Sequence, residues 1–167
     1  MQSRRFTVAE VSELIFPREI HGEKVEDWER ASAAQIDYLI RLGAVVPAKP
    51  ASRRGVPNEF DFPNIVQIAT GAEAISAGVS RDLIADMVRE VRDPENWARL
   101  INPETRPDVA VLTLKRISGL KSQPATVQLM PAAAVGEICA AGYTILAAIP
   151  IAYIVGMVEK FVGEPFA

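Results

Sequence analysis

The sequence predicts an α+β protein in two parts: a mainly helical N-terminal region and a smaller α/β unit after it. Three observations carry this. Apolar residues before residue 93 recur at spacings of three and four, in segments bounded by capping residues, glycine and proline. Beyond residue 107 the pattern changes to alternation and short apolar runs. Between them "DPENWARLINPETRP" is rich in proline and reads as a linker. The expected division is 1–93, a linker at 94–107, and 108–167. A chain of 167 residues with 49% hydrophobic and 23% charged residues has enough apolar material for a core.

Each element follows in order. Thr7-Val8-Ala9-Glu10 has the form of a capping box, and Val8, Val11, Leu14 and Ile15 then share one helical face up to Pro17. "REIHGEKVEDWER" is polar and reads as a loop or loose turn, anchored by Trp28. Ser32-Ala33-Ala34-Gln35 forms a second capping box, opening a helix that buries Ile36, Leu39, Ile40 and Leu42 and stops at Gly43. "AVVPA" reads as a short strand leading into "PASRRGVPNEFDF", a Gly/Pro turn bearing adjacent arginines. Asp61 caps a third helix, with Pro63 in its first turn and Ile65, Ile68, Ala69, Ala72 and Ile75 inward. Gly78 stops it. Ser80 caps a fourth helix to about Arg92, with Leu83, Ile84, Met87 and Val91 inward, and Pro94 blocks its extension.

In the second part "DVAVLTLKRI" and "ATVQLM" read as strands. "PAAAVGEICAAG" reads as a small-residue helix, "YTILAAIPI" as a buried strand and "AYIVGMVEKFV" as a helix packed on it. From Ile138 to Val158 the chain carries no charge, which meets the length of about 20 residues for a membrane span. Gly142, Pro150 and Gly156 interrupt that run, and no basic cluster flanks it, so a span is the weaker reading.

Composition excludes several chemistries. Cys139 is the single cysteine and His21 the single histidine, so neither a disulfide framework nor a protein-only zinc site is expected. No Ser/His/Asp set, phosphate-binding glycine loop or paired acid/base carboxylates are present, and no enzyme, cofactor or metal is expected. The N-terminus lacks the apolar run and cleavage site of a secretory signal, so a cytoplasmic location is expected.

Helix, long connection, helix, strand, basic Gly/Pro turn and two helices is the order of a helix-turn-helix followed by a wing. On these residues the N-terminal part resembles the winged helix-turn-helix of MerR-type transcriptional regulators. Leu42-Gly43-Ala44-Val45-Val46-Pro47 matches the helix end and apolar pair of that family. Arg53-Arg54-Gly55 matches its basic wing, Phe60 its aromatic before the next helix, and Gly78-Val79-Ser80 the turn between the last two helices. About half the chain is covered. The resemblance implies a recognition helix for the major groove and a wing on the backbone or minor groove of DNA. The DNA-binding residues it implies are Ala33, Ala34, Gln35, Tyr38 and Arg41 on the helix, and Arg53, Arg54 and Asn58 in the wing. Asp37 stands where the family usually carries a base, and no long helix follows the fourth to form the family's dimerisation coil.

The expected function is therefore a transcriptional regulator that binds double-stranded DNA, as a homodimer through the C-terminal unit. RNA polymerase and a small-molecule effector are further partners such a regulator allows. The formal net charge of -3 keeps an alternative open: a winged-helix module that binds protein, anchored to a membrane through 138–158 in one version.

Overall fold

Thr7 starts the first helix as its neighbours predict. The computed structural model describes residues 4–16, 18–20, 23–53, 56–115, 125–141 and 143–163. A short strand β1 (Phe6–Thr7) leads into α1 (Val8–Ile15). The capping box is formed: Glu10 Oε2 accepts from the Thr7 N–H at 2.8 Å, and Thr7 Oγ1 accepts from the Glu10 N–H at 3.4 Å. The polar stretch after α1 contains a short strand pair, where a loop or loose turn is expected. Strands β2 (Glu19–Ile20) and β3 (Glu23–Lys24) pair antiparallel.

The second helix begins more than a turn before the expected Ser32 cap. Helix α2 spans Trp28–Arg41, behind Asp27 at φ 48° and ψ 39°. Aspartate tolerates that left-handed conformation. The Trp28 Nε1–H donates to the Phe16 carbonyl at 3.2 Å and fixes the helix start against α1. Ser32 is then an interior residue, buried, with its Oγ donating to the Glu29 carbonyl at 3.2 Å. The C-terminal end follows expectation: Gly43 takes φ +71° and its N–H donates to the Ile40 carbonyl at 2.9 Å.

"AVVPA" forms no strand. Pro47 has no N–H for a ladder, the Ala44 and Val45 N–H groups donate back to the Leu39 carbonyl, and the Ala44 and Val46 carbonyls and Ala48 N–H bond side chains of the third helix. Pairing begins beyond it, where Lys49 and Glu59 bond reciprocally through N–H to carbonyl at 3.1 and 2.9 Å. Strand β4 (Glu59–Phe60) also pairs with β1, in the register Phe6↔Phe60 and Thr7↔Glu59.

Helix α3 (Phe62–Ser76) is the centre of the molecule. Asp61 caps it in a reciprocal box with Asn64, and Pro63 sits in its first turn. Residues 64–72 are buried on all sides, which requires neighbours all round. Those neighbours are α1, α2, α4 (Arg81–Arg92) and α7 (Ile151–Val162). Ser80 occupies the N-cap of α4 without a side-chain bond, and Ile84, Met87 and Val91 point inward.

Residues 94–107, expected as a linker, are in part helix. Asp93 Oδ1 accepts from the N–H groups of Glu95 and Asn96 and caps α5 (Pro94–Ile101). Pro94 ends one helix and opens another, where its missing N–H costs nothing. Leu100 is fully buried.

The C-terminal strands form one antiparallel sheet in the order β6-β5-β7: Thr126–Met130, Val109–Lys115 and Tyr143–Ile149. One face carries Ala110, Leu112, Leu129, Ala147 and Ile149 into the core. The expected small-residue helix is a 3₁₀ turn (Ala132–Ala134) followed by α6 (Val135–Ala140), neither with a buried residue. The uncharged run 138–158 is thus divided among α6, β7 and α7, and among the described residues no helix is long and apolar enough to cross a membrane.

The core does not stop at the expected boundary. A single cluster runs from Phe6, Val11 and Leu39 through α3 to Leu112, Ile154 and Val158. Phe6 packs on Phe161 with ring centroids 5.8 Å apart, and Phe62 meets Trp97 edge-on at 5.6 Å. Helix and strand together make an α+β arrangement, with α3 and α7 packed against strands of the sheet.

Candidate nucleic-acid interface

Two surfaces hold the residues expected to touch DNA: the outer stripe of α2 and the loop between Lys49 and Glu59. Both are fixed to α3. Leu39 of α2 lies against Gly71, where a Cβ would stand 2.7 and 2.9 Å from the Leu39 methyls. The absence of a side chain at Gly71 lets the two helices approach.

The outward stripe of α2 consists of Arg30, Ala34, Asp37 and Arg41, all exposed. Ala34 and Arg41 are expected members of this site, and Arg30 is a further cation on it. With a helix opening at Ser32, Arg30 falls in the polar stretch before it. Its place on the stripe follows once the start is moved to Trp28. Arg41 Nε sits 3.0 Å from Asp37 Oδ2, an exposed i,i+4 pair. That pair joins the acidic position to the nearest cation and leaves this part of the stripe without net charge.

Three expected residues sit differently. Ala33 is half-buried. Gln35 turns toward α3 and lines a cavity of about 250 Å³ with Ile15, Phe16, Val25, Trp28 and Glu73. Tyr38 is half-buried and packs on the core. Ala33, Ala34 and Gln35 also lie in the second turn of α2, so the free amides and dipole of the helix start are not theirs. Those features belong to Trp28, Glu29 and Arg30, beside the β2–β3 hairpin. There a cleft of about 550 Å³ is lined by Arg18, Lys24 and Arg30 together with Asp27 and Glu29. Arg18 pairs with Glu13 and stacks over the Trp28 ring at 4.6 Å.

The second surface is a loop whose stem is closed by charge. Lys49 Nζ donates to Glu59 Oε1 at 2.6 Å, and Arg5 reaches Glu59 Oε2 at 3.5 Å. The hydrogen-bonded Lys49 ammonium holds the Glu59 carboxyl below its usual value of 4.5. Partial burial works against this, and the Lys49 and Arg5 charges add to it. Asn58 has a structural task here: its Oδ1 accepts from the Ala51 N–H at 2.8 Å across the loop. The Arg53 carbonyl accepts from the Val56 N–H at 3.1 Å. The Arg53 side chain is exposed and makes no ion pair among the described residues. Arg54 lies outside the described residues.

The root of this loop is held by two side-chain amides that sequence reading did not single out. Asn64 Oδ1 accepts from the Ala48 N–H at 2.9 Å, while its Nδ2 donates to the Val46 carbonyl at 2.9 Å and to Gln67 Oε1 at 3.3 Å. Gln67 Nε2 donates to the Val88 carbonyl of α4 at 3.2 Å and to the Ala44 carbonyl at 3.5 Å. Both residues are almost fully buried. Polar residues at intervals of three in the buried stretch 64–72, Asn64, Gln67 and Thr70, were the available signal.

Among the described residues no group of histidine, cysteine, aspartate and glutamate could hold a metal ion. The chain matches no protein-family model and no curated protein.

Proposed function

We propose that the protein is a DNA-binding transcriptional regulator whose N-terminal part acts as a MerR-like winged helix-turn-helix. In this reading α2 enters the major groove with Arg30, Ala34 and Arg41 outward, and the 49–59 loop is the wing. The observation that supports it most is Arg53, exposed and without an ion pair among the described residues, on a loop whose stem and root are both held by hydrogen bonds. An exposed cation on a projecting loop gains from counterion release when it meets a phosphate. A two-fold dimer through the C-terminal sheet unit would present two α2 helices to a palindrome.

The test is fluorescence anisotropy with random and promoter-derived duplex DNA across a salt series. Replacing both wing arginines, Arg53→Ala with Arg54→Ala, is expected to weaken binding to all sequences and flatten the log–log salt slope by about 2. An unchanged slope would sink the wing assignment.

A second reading has its own support. Glu26, Asp27 and Glu29 are exposed around the start of α2, and Asp37 neutralises Arg41. Such a surface suits a basic protein partner better than DNA. No binding to any duplex at low salt would favour this protein-interaction module.

A further inference from the structure

The segment 44–48 joins α2 to the wing and forms no ladder; its Ala44 and Val45 N–H groups donate back to the Leu39 carbonyl at 3.1 and 3.3 Å. Asn64 and Gln67 supply further partners. Between them they bond the Ala44 and Val46 carbonyls and the Ala48 N–H, spanning both sides of Pro47. Asn64 uses all of its donors and acceptors, since its Oδ1 also accepts from the Asp61 N–H at 3.4 Å. The same pair reaches α4 through the Val88 carbonyl, and α4 in turn packs on α5 and β6.

A helix that anchored this segment only for stability would serve as well with apolar side chains over an ordinary strand. The amides instead fix three backbone atoms at the root of the projection, immediately before the Lys49–Glu59 stem. We infer that Asn64 and Gln67 are positioning residues for the wing. They set the angle at which Arg53 is presented and tie that angle to the seat of α4 on the C-terminal sheet. The inference rests on the DNA-binding reading above for its function, but its geometry can be tested without DNA.

The experiment is a double-mutant cycle on the full chain with a fluorescein-labelled random-sequence duplex, joined to amide hydrogen exchange. In the wild type, Arg53→Ala is expected to weaken binding about fivefold. In an Asn64→Ala background the same substitution is expected to matter less than about twofold, because a wing free to swing no longer presents the arginine. Exchange should speed up at Ala48 and also at Lys49 and Glu59. An intact Arg53 effect in the Asn64→Ala protein overturns the inference, as does faster exchange confined to Ala48. If Asn64→Ala does not fold, Gln67→Met keeps the volume and removes the donors to Ala44 and Val88, and is read in the same way. If the wild type binds no duplex, the DNA-binding reading fails on its own. The exchange pattern then decides the wing-positioning inference: spread to Lys49 and Glu59 supports it, and restriction to Ala48 overturns it.

Discussion

Glu59 is the residue on which the loop stem turns. It accepts from Lys49, lies within reach of Arg5, and its backbone pairs with both Lys49 and Thr7. Its carboxyl titrates below 4.5 in the folded protein, first because of the Lys49 hydrogen bond. A carboxyl whose pKa is lower folded than unfolded adds stability above the unfolded value and loses it as pH falls through the folded value. The stem should therefore be unaffected between neutral pH and pH 5 and loosen only in more acid solution. Hydrogen exchange or NMR shifts at Lys49 and Glu59 should report this as a transition below the usual carboxylate range, absent in Glu59→Gln. The same transition persisting in that variant would assign it to another group. High salt should weaken the pair at any pH, since both partners touch solvent.

Gly71 decides how closely α2, α3 and α4 pack, and substitution there sets two effects against each other. An added Cβ would meet the buried Leu39 at 2.7 Å and Val88 at 3.3 Å. Overpacking of this kind costs about 1–3 kcal/mol, while alanine in place of a mid-helix glycine returns about 1 kcal/mol. Gly71→Ala is expected to lower the denaturant midpoint. Gly156 in α7 has nothing within 4 Å of its would-be Cβ and no positive φ, so Gly156→Ala should raise stability by about 0.5–1 kcal/mol. Equal midpoints for the two variants would overturn this account of the helix contacts. Elements of this kind were legible where the code is local. The caps at Thr7 and Asp61, the stop at Gly43 and the alternation in β5 and β6 all depend on neighbouring residues. The start of α2 was not legible, because Ser32-Ala33-Ala34-Gln35 has the form of a box while the actual start depends on Trp28 reaching Phe16. The strand expected at "AVVPA" failed for a related reason: its first N–H groups turn back to Leu39, and its other partners are side chains of α3, sixteen or more residues away. Within the candidate site, Arg53 could be read from its turn, whereas Asn64, Gln67 and Arg30 required the tertiary frame.

At the scale of the whole molecule the question is how many units unfold. The proline-rich stretch at 93–107 suggested a boundary, but proline marks a helix start as readily as a break, and composition could not show that Phe6 would pack across it on Phe161 or Phe62 against Trp97 within it. The core cluster joins α1 and α3 to β5 and α7. A half-buried ion pair ties the α5–β5 connection to α7: Arg106 donates to Glu159 at 2.6 and 3.1 Å and to the Leu100 carbonyl at 2.7 Å. A bidentate pair of this kind holds its partners in one geometry, and removing one member strands the other charge. Arg106→Ala is expected to cost about 2 kcal/mol, less than the roughly 3–5 kcal/mol of a fully buried pair, because both side chains retain some solvent contact. Trp28 in α2 bonds the Phe16 carbonyl, and Trp97 lies in α5, the helix whose Leu100 carbonyl Arg106 holds and which packs on α7, so the variants Trp28→Phe and Trp97→Phe each leave one local probe. In a single cooperative unit the two fluorescence transitions share a midpoint, and Arg106→Ala moves both by the same amount. Separate midpoints, or a shift confined to Trp97, would mean that the N-terminal helices fold independently of the sheet. In that case α4 could not carry a movement of the C-terminal unit to the root of the wing.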